Sequence, residues 1–300
     1  MPVSTSHRTV TVDGVDLAYR DAGPPGAPAV LLLHGFPSSS RMWQPLIDRL
    51  AHRYRMIAPD YPGFGHSAAP AAEDWDYTFD HIADVIEHFT DAIGLDRYSL
   101  AVQDYGGPVG LRLATRRPER LQSLVVHNAV CHEDGLGPLW ETRRAFWADR
   151  AAHEEALRKN FFSPAATRQR HVGNSPHPER YDPDLWTDEL AFLDRPGQAD
   201  IQTDLFYDYR TNVENYPRWQ QWLRDTQPDL LVVWGRHDPS FEAAEAEAYR
   251  RDVPSARIHI VDAGHFPLDE APNLVAALTG EFLDSRGADQ PDPPRRSHPR

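Results

Sequence analysis

The sequence predicts an α/β protein in which a mostly parallel, eight-stranded sheet carries helices on both faces and one inserted helical lid. Short apolar runs alternate with helix-spaced segments along most of the 300 residues, and this alternation favours a parallel sheet covered on both sides. The alternation stops after the sixth apolar run, over residues 131–226, and then resumes. Because a structureless loop of that length is uncommon in a compact domain, we interpret this segment as a lid.

The interruption divides the chain into a core and a lid. Residues 1–130 and 227–284 are predicted to form the two parts of the core, and residues 131–226 the lid. Residues 285–300 are rich in proline and arginine. Such a composition cannot bury a core, so we expect a disordered tail there.

The predicted strands begin with a hairpin. Residues 10–12 and 16–20 flank Asp13-Gly14, a dipeptide typical of a two-residue hairpin turn. Ala29–Leu33 is an unbroken apolar run, as expected for a strand buried on both faces. The remaining predicted strands are residues 55–58, 98–102, 121–127, 229–235 and 257–261.

Segments with helical spacing of apolar residues lie between these strands. Asp80–Ile93 has apolar side chains at positions 82, 85, 86, 89 and 93, which predicts an amphipathic helix. Gly94 follows as a C-cap residue. The other predicted core helices are residues 40–50, 109–117, 243–251 and 272–283.

Composition excludes several classes of function. A net charge of −14 disfavours nucleic acid or an anionic membrane as the main partner. Cys131 is the single cysteine, which rules out an internal disulfide framework and fits a reducing compartment. Residues 1–9 have no apolar signal region, and no apolar run approaches ~18 residues. We therefore expect a cytoplasmic protein without a membrane span.

The segment after the fifth strand carries the most informative motif. A short apolar run leads into Val102-x-Asp104-x-Gly106, and a helix-like segment follows. A strand, a sharp turn and a helix form the elbow that presents a nucleophile above a sheet. A carboxylate at this point can displace a leaving group from a saturated carbon. The alternative, a helix-capping role for Asp104, remains open at this stage.

Two further loops carry residues that complete a catalytic set. Asp238 lies in the loop after the seventh strand, and His265 follows the last strand in Ala263-Gly264-His265. Open α/β sheets place their sites at the carboxyl ends of the strands. The order of nucleophile, acid and histidine is the one found in hydrolases of this architecture.

On these motifs the chain resembles the α/β-hydrolase superfamily, in the branch of epoxide hydrolases and haloalkane dehalogenases with an aspartate nucleophile. The similarity runs from about Ala29 to Leu283 and includes His34-Gly35-Phe36-Pro37, the loop 60–67, the elbow and the two loops of Asp238 and His265. Some dehalogenases place the acid after the sixth strand. Asn128 occupies that position here, which favours Asp238.

The resemblance implies a two-step displacement without a cofactor. Asp104 attacks an electrophilic carbon, and His265, oriented by Asp238, then activates water against the resulting ester. The backbone N–H groups of Phe36 and Tyr105 are expected to form the oxyanion hole.

The leaving group separates the two activities of the branch. Epoxides need a proton donor, and Tyr209, in Asp208-Tyr209-Arg210, is similar to a lid tyrosine with that role. The family's second tyrosine has no match in residues 156–164, so Tyr181, Tyr207, Trp147 or no residue at all remain possible partners. Dehalogenases prefer tryptophan where Tyr105 stands.

Fluoroacetate dehalogenases share the His-Gly-Phe-Pro motif but follow the nucleophile with arginines that hold a carboxylate. Tyr105 and Pro108 occupy those positions here, which disfavours that activity.

The expected substrate is a small, apolar electrophile that reacts with water. Aromatic residues are dense in the lid, a pattern compatible both with an apolar pocket and with a core of the lid itself. No histidine or carboxylate pattern has metal-ligand spacing, so no metal or cofactor is expected. The residues expected to contact substrate are His34, Pro37, Trp147, Phe162, Trp186, Tyr207 and Phe266.

Three functions therefore remain open. The first is an epoxide hydrolase that yields a diol, and the second is a haloalkane or haloacid dehalogenase with the same nucleophile. The third is a non-catalytic ligand-binding protein on the same scaffold, whose usual sign would be a damaged triad. The sequence does not determine the oligomeric state.

Overall fold

The computed structural model describes residues 3–287 and has one eight-stranded sheet, in the order β1-β2-β4-β3-β5-β6-β7-β8. Strands β1, β2 and β4 pair antiparallel, and all other neighbours pair parallel. The strands are β1 (Ser6–Val12), β2 (Val15–Ala22), β3 (Ala29–Leu33), β4 (Arg55–Pro59), β5 (Tyr98–Gln103), β6 (Leu121–His127), β7 (Leu230–Gly235) and β8 (Arg257–Val261). All eight predicted strands are present.

Twelve α-helices lie within the described residues and cover both faces of the sheet or form the lid. They are α1 (Gln44–Leu50), α2 (Phe79–Ala92), α3 (Gly106–Arg116), α4 (Trp140–Ala148), α5 (Arg150–Phe161), α6 (Pro164–Val172), α7 (Asp184–Leu193), α8 (Gln198–Asp208), α9 (Arg210–Thr226), α10 (Ala244–Asp252), α11 (Pro267–Glu270) and α12 (Pro272–Gly287).

The central strands bury both of their faces, in two separate cores. In β3, Leu31 and Leu33 belong to the core shared with α2, α3 and the lid, whereas Val30 and Leu32 belong to the core shared with α1 and α12. Successive side chains of a strand point to opposite faces. The unbroken apolar runs of the sequence therefore reflect a sheet that is covered on both sides.

Helices α4–α9 are inserted between β6 and β7, where the sequence predicts the lid. The exact borders of that unit, residues 131 and 226, remain predictions. Helix α12 continues to Gly287, into the segment predicted as the tail. The rest of that prediction, residues 288–300, lies outside the described residues.

Polar contacts dock the lid on the core. The carboxylate of Asp208, at the end of α8, accepts a hydrogen bond from the backbone N–H of Phe79 at 2.8 Å. The guanidinium of Arg112, on α3, donates to Asn212 of α9 at 2.6 Å. These contacts hold the junction of α8 and α9, and therefore Tyr209, against the core. No helix among residues 3–287 is both long and apolar enough to cross a bilayer.

Candidate active site

Asp104 lies at the tip of a sharp turn between β5 and α3. Its φ of 49° is in the left-handed region, where a residue other than glycine is strained and often functional. Two glycines permit the turn. A Cβ on Gly106 would lie 2.1 Å from the Leu33 carbonyl oxygen, and a Cβ on Gly35 would lie 2.4 Å from the Cβ of Asp104. The segment thus has the geometry of a nucleophile elbow.

The structure brings Asp104, His265 and Asp238 together from three loops. His265 Nδ1 lies 2.8 Å from the Asp238 carboxylate, and His265 Nε2 lies 3.7 Å from Asp104 Oδ2. All three side chains are buried. The short contact orients the imidazole with Nδ1–H towards Asp238, which leaves Nε2 facing the nucleophile. The triad is complete, so the usual sign of a non-catalytic protein is absent from it.

Asp238 is held by hydrogen bonds that fix its direction. Its Oδ1 accepts the N–H groups of Ser240 at 2.6 Å and Phe241 at 3.2 Å. Its Oδ2 accepts the amide of Asn128 at 2.7 Å as well as the imidazole. Asn128, which the sequence analysis considered only as an alternative acid position, therefore positions the acid.

The Asp104 carboxylate is held by a backbone donor. The N–H of Phe36 donates to Oδ1 at 2.8 Å. Burial raises the pKa of Asp104, while His265 and the backbone hydrogen bonds from Phe36 and Tyr105 lower it, and the balance lies above the usual value. With Oδ1 fixed by an amide, Oδ2 is the oxygen that faces His265.

The pKa of His265 is subject to opposing effects. Burial lowers its pKa, but the charge and hydrogen bond of Asp238 and the charge of Asp104 raise it above the usual value. The side-chain nitrogen of Gln103 donates to the His265 carbonyl at 3.1 Å and lies 3.0 Å from Nε2. Gln103 thus helps to place the imidazole, a role that a single sequence could not reveal because its partner is 162 residues away.

A small enclosed cavity of about 20 Å³ lies in front of Asp104. That volume is enough for roughly one water molecule. Residues from the core and from lid helices α4, α6 and α8 surround it. The lining residues are Phe36, Asp104, Tyr105, Trp140, Arg143, Arg170, Phe206, Tyr209, Ser240, Phe241 and His265.

Two tyrosines line this cavity. The hydroxyls of Tyr105 and Tyr209 are buried and have no hydrogen-bond partner among the described residues, and their ring centroids are 5.9 Å apart. Burial and the Asp104 charge raise the pKa of both phenols, although the nearby Tyr216 hydroxyl and Arg143 lower that of Tyr209. Both phenols therefore remain protonated at neutral pH. The sequence analysis named Tyr105 for its amide and missed its hydroxyl.

The suggested partners of Tyr209 do not line the cavity. The Tyr181 hydroxyl donates to Glu270. Tyr207 lines a separate surface depression, and the guanidinium carbon of Arg210 lies 3.9 Å from the centroid of the Tyr207 ring. The Trp147 indole N–H donates to the Phe206 carbonyl at 2.8 Å, while its ring stacks on Tyr209. Trp147 therefore supports the cavity from behind.

Several predicted substrate contacts lie one layer away from the cavity or further. The Phe162 ring packs at 6.1 Å from that of Phe36, and Phe266 packs edge-on against His265 at 4.8 Å. Trp186 packs beside His171 at 5.9 Å. None of these three lines the cavity, so direct contact with bound substrate would require movement of the lining.

The His34-Gly35-Phe36-Pro37 loop contributes through Phe36. His34 lies 3.1 Å from the Gly35 carbonyl through Nδ1 and accepts the Tyr61 N–H at Nε2. Burial lowers its pKa to about 4, so it stays neutral and organises the loop. Pro37 is not part of the cavity lining.

A group of potential metal-ligand atoms occurs elsewhere. Among residues 3–287, Cys131, His132 and Glu245 offer atoms within 4.8 Å of one another. However, His132 Nδ1 lies 2.8 Å from Glu245 and Nε2 lies 2.9 Å from Asp252. Burial lowers the pKa of His132, but Cys131 and Glu245 raise it to about 11. Both ring nitrogens of His132 thus face carboxylates, and in this structure the cluster is an ion network.

Comparison with known proteins assigns the chain to a family. A model of the alpha/beta hydrolase fold matches residues 28–272. The chain belongs to the α/β-hydrolase fold family. The Uncharacterized hydrolase YNR064C of Saccharomyces cerevisiae is 38% identical over 94% of this chain and 97% of its own length.

Relatives with named activities include both members of the predicted branch. Haloalkane dehalogenase 2 of Mycobacterium tuberculosis is 30% identical, over 86% of this chain and 88% of its own length. Epoxide hydrolase 2 of Caenorhabditis elegans is 25% identical, over 93% of this chain and 80% of its own length.

A solved structure shares the fold. The haloalkane dehalogenase DbeA of Bradyrhizobium elkani superposes with a TM-score of 0.79 at 21% identity, over 96% of this chain and 100% of that one. The predicted fold class and the relation to epoxide hydrolases and haloalkane dehalogenases are thus confirmed.

Proposed function

We propose that this hydrolase opens an epoxide to a diol through an alkyl ester on Asp104. The observation that carries the proposal is a carboxylate at the strained elbow, with Oδ1 on the Phe36 N–H at 2.8 Å and Oδ2 facing His265 at 3.7 Å. A hydroxyl nucleophile would serve acyl transfer. A carboxylate instead suits displacement at a saturated carbon.

In the first step, Asp104 Oδ2 forms a bond to one epoxide carbon while the ring C–O bond breaks. The ring oxygen takes the phenolic proton of Tyr209 or Tyr105. Both hydroxyls line the cavity without a hydrogen-bond partner among residues 3–287. A positioned general acid contributes roughly 10²–10⁴-fold to rate.

In the second step, water attacks the ester carbonyl carbon and transfers a proton to His265 Nε2. The oxyanion develops on Oδ1, which already accepts the Phe36 N–H. The diol leaves with the proton from His265, and the remaining water proton returns to the phenolate. Asp104 loses its negative charge when the ester forms, and that charge raises the pKa of His265. The pKa of His265 therefore falls, which favours the unprotonated imidazole that accepts a proton from water.

Carbon–halogen hydrolysis by the same nucleophile is the second candidate, because a relative at 30% identity is a haloalkane dehalogenase. The indole N–H groups near the cavity do not favour it. Trp140 donates to the Ser240 carbonyl and Trp147 to the Phe206 carbonyl, at 2.9 and 2.8 Å. Neither is available to a halide in this conformation. The absence of a cofactor, nucleic-acid partner or membrane partner, and a cytoplasmic location, remain predictions.

Mass spectrometry of His265→Gln incubated with epoxides and haloalkanes tests the mechanism. We expect an adduct on the peptide that contains Asp104, because the first step proceeds and hydrolysis stalls. Asp104→Asn should give no adduct. The matched control His237→Gln removes a histidine that is paired with Asp262 outside the cavity, and it should turn over without accumulating ester. Halide release with an adduct from the haloalkanes, and no adduct from the epoxides, would favour the second candidate. Absence of any adduct would contradict the mechanism.

A further inference from the structure

Two buried arginines of the lid share the cavity with Asp104. Arg143 of α4 and Arg170 of α6 line it, and both side chains are buried. Their guanidinium carbons lie 4.9 and 5.6 Å from the ring centroid of Phe161. Trp140 and Phe36 cover their other faces, at 4.1 and 4.6 Å. Two positive charges are therefore held between aromatic rings next to the nucleophile.

These arginines keep donor nitrogens without a partner. Within residues 3–287, Nε and Nη1 of Arg143 and Nη1 of Arg170 are buried and make no hydrogen bond. Arg170 Nη2 donates to the Phe161 carbonyl at 2.8 Å. Burial lowers the pKa of Arg170 to about 10, and neighbouring Arg143 contributes to this shift. Both guanidinium groups remain charged at neutral pH. Buried donors are nearly always paired, so these three nitrogens indicate a missing acceptor.

Arg112 shows how this fold satisfies a buried arginine that has a structural role. Arg112 is as buried as the cavity arginines. Its Nε donates to Asp80 at 2.5 Å and its Nη1 to Asn212 at 2.6 Å. Its Nη2 donates to Thr211 at 3.3 Å. The donor nitrogens of Arg112 thus have acceptors, whereas Nε and Nη1 of Arg143 and Nη1 of Arg170 have none among residues 3–287.

Neutralisation by nearby carboxylates does not explain the unpaired N–H groups of Arg143 and Arg170. Burial lowers the pKa of Arg143, and the nearby carboxylates of Asp104 and Asp238 offset part of this shift, so the charges partly compensate each other. Among residues 3–287, neither arginine forms an ion pair with these carboxylates. Oδ1 of Asp104 accepts the Phe36 N–H, and the oxygens of Asp238 accept Asn128, Ser240 and His265. Compensation at a distance leaves the donor N–H groups unpaired, and a hydrogen-bond acceptor is still required.

We propose that Arg143 and Arg170 bind a carboxylate of the substrate and thereby place the electrophilic carbon beside it in front of Asp104. This inference rests on the proposed function for its chemistry. A guanidinium fork matches the two oxygens of a planar carboxylate. The cavity of about 20 Å³ has room for roughly one water molecule, so it favours the smallest substrates of this class, and its lining must move to admit them. The substrate class is then a small 2,3-epoxy carboxylate, in place of the apolar molecule expected from the sequence.

The trap variant gives a direct test. His265→Gln is incubated with glycidate or with glycidamide, which differ in charge but hardly in shape, and the rate of Asp104 labelling is followed by mass spectrometry. We expect glycidate to label at least about 10²-fold faster, because a site built for polar contacts rejects a ligand that leaves them unpaired. Adding Arg143→Gln or Arg170→Gln should remove that preference.

The lid offers matched controls on the same helices. Arg144 neighbours Arg143 on α4, and Arg168 lies two residues before Arg170 on α6, yet both are exposed. Arg144→Gln and Arg168→Gln should keep the preference for glycidate. Equal labelling by both compounds, or loss of preference in these controls as well, would overturn the carboxylate site and leave the nucleophile assignment intact.

A binding measurement separates this inference from the chemistry. Titration calorimetry of the wild-type protein with glycerate and glyceramide forms no covalent bond, so it does not depend on Asp104 as nucleophile. We expect glycerate to bind at least about 10²-fold more tightly than glyceramide. Glycerate binding without any epoxide adduct would contradict the proposed function alone. Equal affinities for the two compounds would contradict the carboxylate site, even if the arginine variants fail to fold.

The stability of the variants provides a second readout. Because Arg143→Gln removes an unpaired buried charge, we expect its melting temperature to equal or exceed that of the wild type. If the arginine instead had a structural role, the melting temperature would fall, as expected for Arg112→Gln.

Discussion

His132 and His171 differ from His265 in how their two ring nitrogens are surrounded. His132 lies between Glu245 and Asp252 at 2.8 and 2.9 Å. His171 lies between Asp269 and Glu189, at 2.8 Å from each. His265 has a carboxylate at 2.8 Å on Nδ1, but the nearest carboxylate to Nε2 is at 3.7 Å. All three imidazoles are buried.

The difference separates two histidines held between carboxylates from the histidine that we propose as the general base. Burial lowers the pKa of His171, but Glu189 and Asp269 raise it to about 10, and His132 reaches about 11. Such imidazoles keep both protons at neutral pH and tie chain segments together. His265 has one nitrogen that can receive a proton from water. His265 Nε2 has the Gln103 side-chain nitrogen at 3.0 Å but no carboxylate within hydrogen-bond distance. This second nitrogen, and not the presence of an acidic partner, distinguishes the proposed base.

Asp238→Asn should break this arrangement with the largest effect. The asparagine would direct an N–H at His265 Nδ1 or lose the Asn128 contact, so the imidazole would adopt the wrong tautomer. We expect ester hydrolysis to slow by about 10⁴-fold, measured as turnover together with accumulation of the Asp104 adduct. Asp262→Asn, which alters the His237 pair outside the cavity, is the control and should retain turnover. A comparable loss in that control would contradict the assigned role.

His132→Leu should affect folding and leave the chemistry intact. Removing the imidazolium leaves Glu245 and Asp252 as buried carboxylates without their central partner, and we expect a loss of about 3–5 kcal/mol in the free energy of unfolding. Denaturant titration measures it, and turnover per folded molecule should be unchanged. His237→Leu, at a more exposed pair, should cost less than about 0.5 kcal/mol. Equal losses of unfolding free energy in the two variants would show that the buried network around His132 stabilises the fold no more than the exposed pair does.

Tyr209→Phe and Tyr105→Phe test the two proposed proton donors that line the cavity. Each change removes a proton donor of the first step, and we expect ester formation to slow by roughly 10²-fold per tyrosine. Single-turnover labelling of Asp104 in the His265→Gln background measures that step alone. If only one variant slows labelling, that tyrosine is the acid, and if neither does, the proton has another source.

The pH dependence of stability gives the smallest effect per histidine and pH unit. The folded pKa values of His132 and His171, about 11 and 10, exceed the usual 6.5. Their stabilisation is therefore complete below pH ~6.5 and declines as pH rises towards those values. Between pH 7 and 9, we expect the free energy of unfolding to fall by up to about 1.4 kcal/mol per pH unit for each histidine. His171→Gln should reduce this slope, and an unchanged slope would contradict the clamped imidazolium.

Most of the fold was predictable because its signals are local. The Asp13-Gly14 turn, the apolar run Ala29–Leu33 and the glycines around Asp104 each determine backbone conformation within a few residues. The order of Asp104, Asp238 and His265 along the chain then indicated where three loops meet. Tyr209 was found only through its resemblance to a lid motif.

Arg143 and Arg170 escaped prediction because nothing local distinguishes them. Each has an exposed arginine close by on its helix, Arg144 and Arg168, and the sequence does not show which of the four faces inward. Similarly, Trp186 was predicted to contact substrate from the density of aromatic residues in the lid, and Tyr207 as a possible partner of Tyr209. Lid packing places both outside the cavity lining.

The sequence by itself determined the sheet, the elbow and the chemical type of the nucleophile, because hydrophobic periodicity and turn chemistry act over short distances. Tertiary structure alone decided which lid side chains reach Asp104, since that depends on how α4, α6 and α8 pack across β5. It also decided which buried charges have partners. For this reason the proposed reaction type follows from short motifs, whereas the proposed substrate depends on contacts between distant helices.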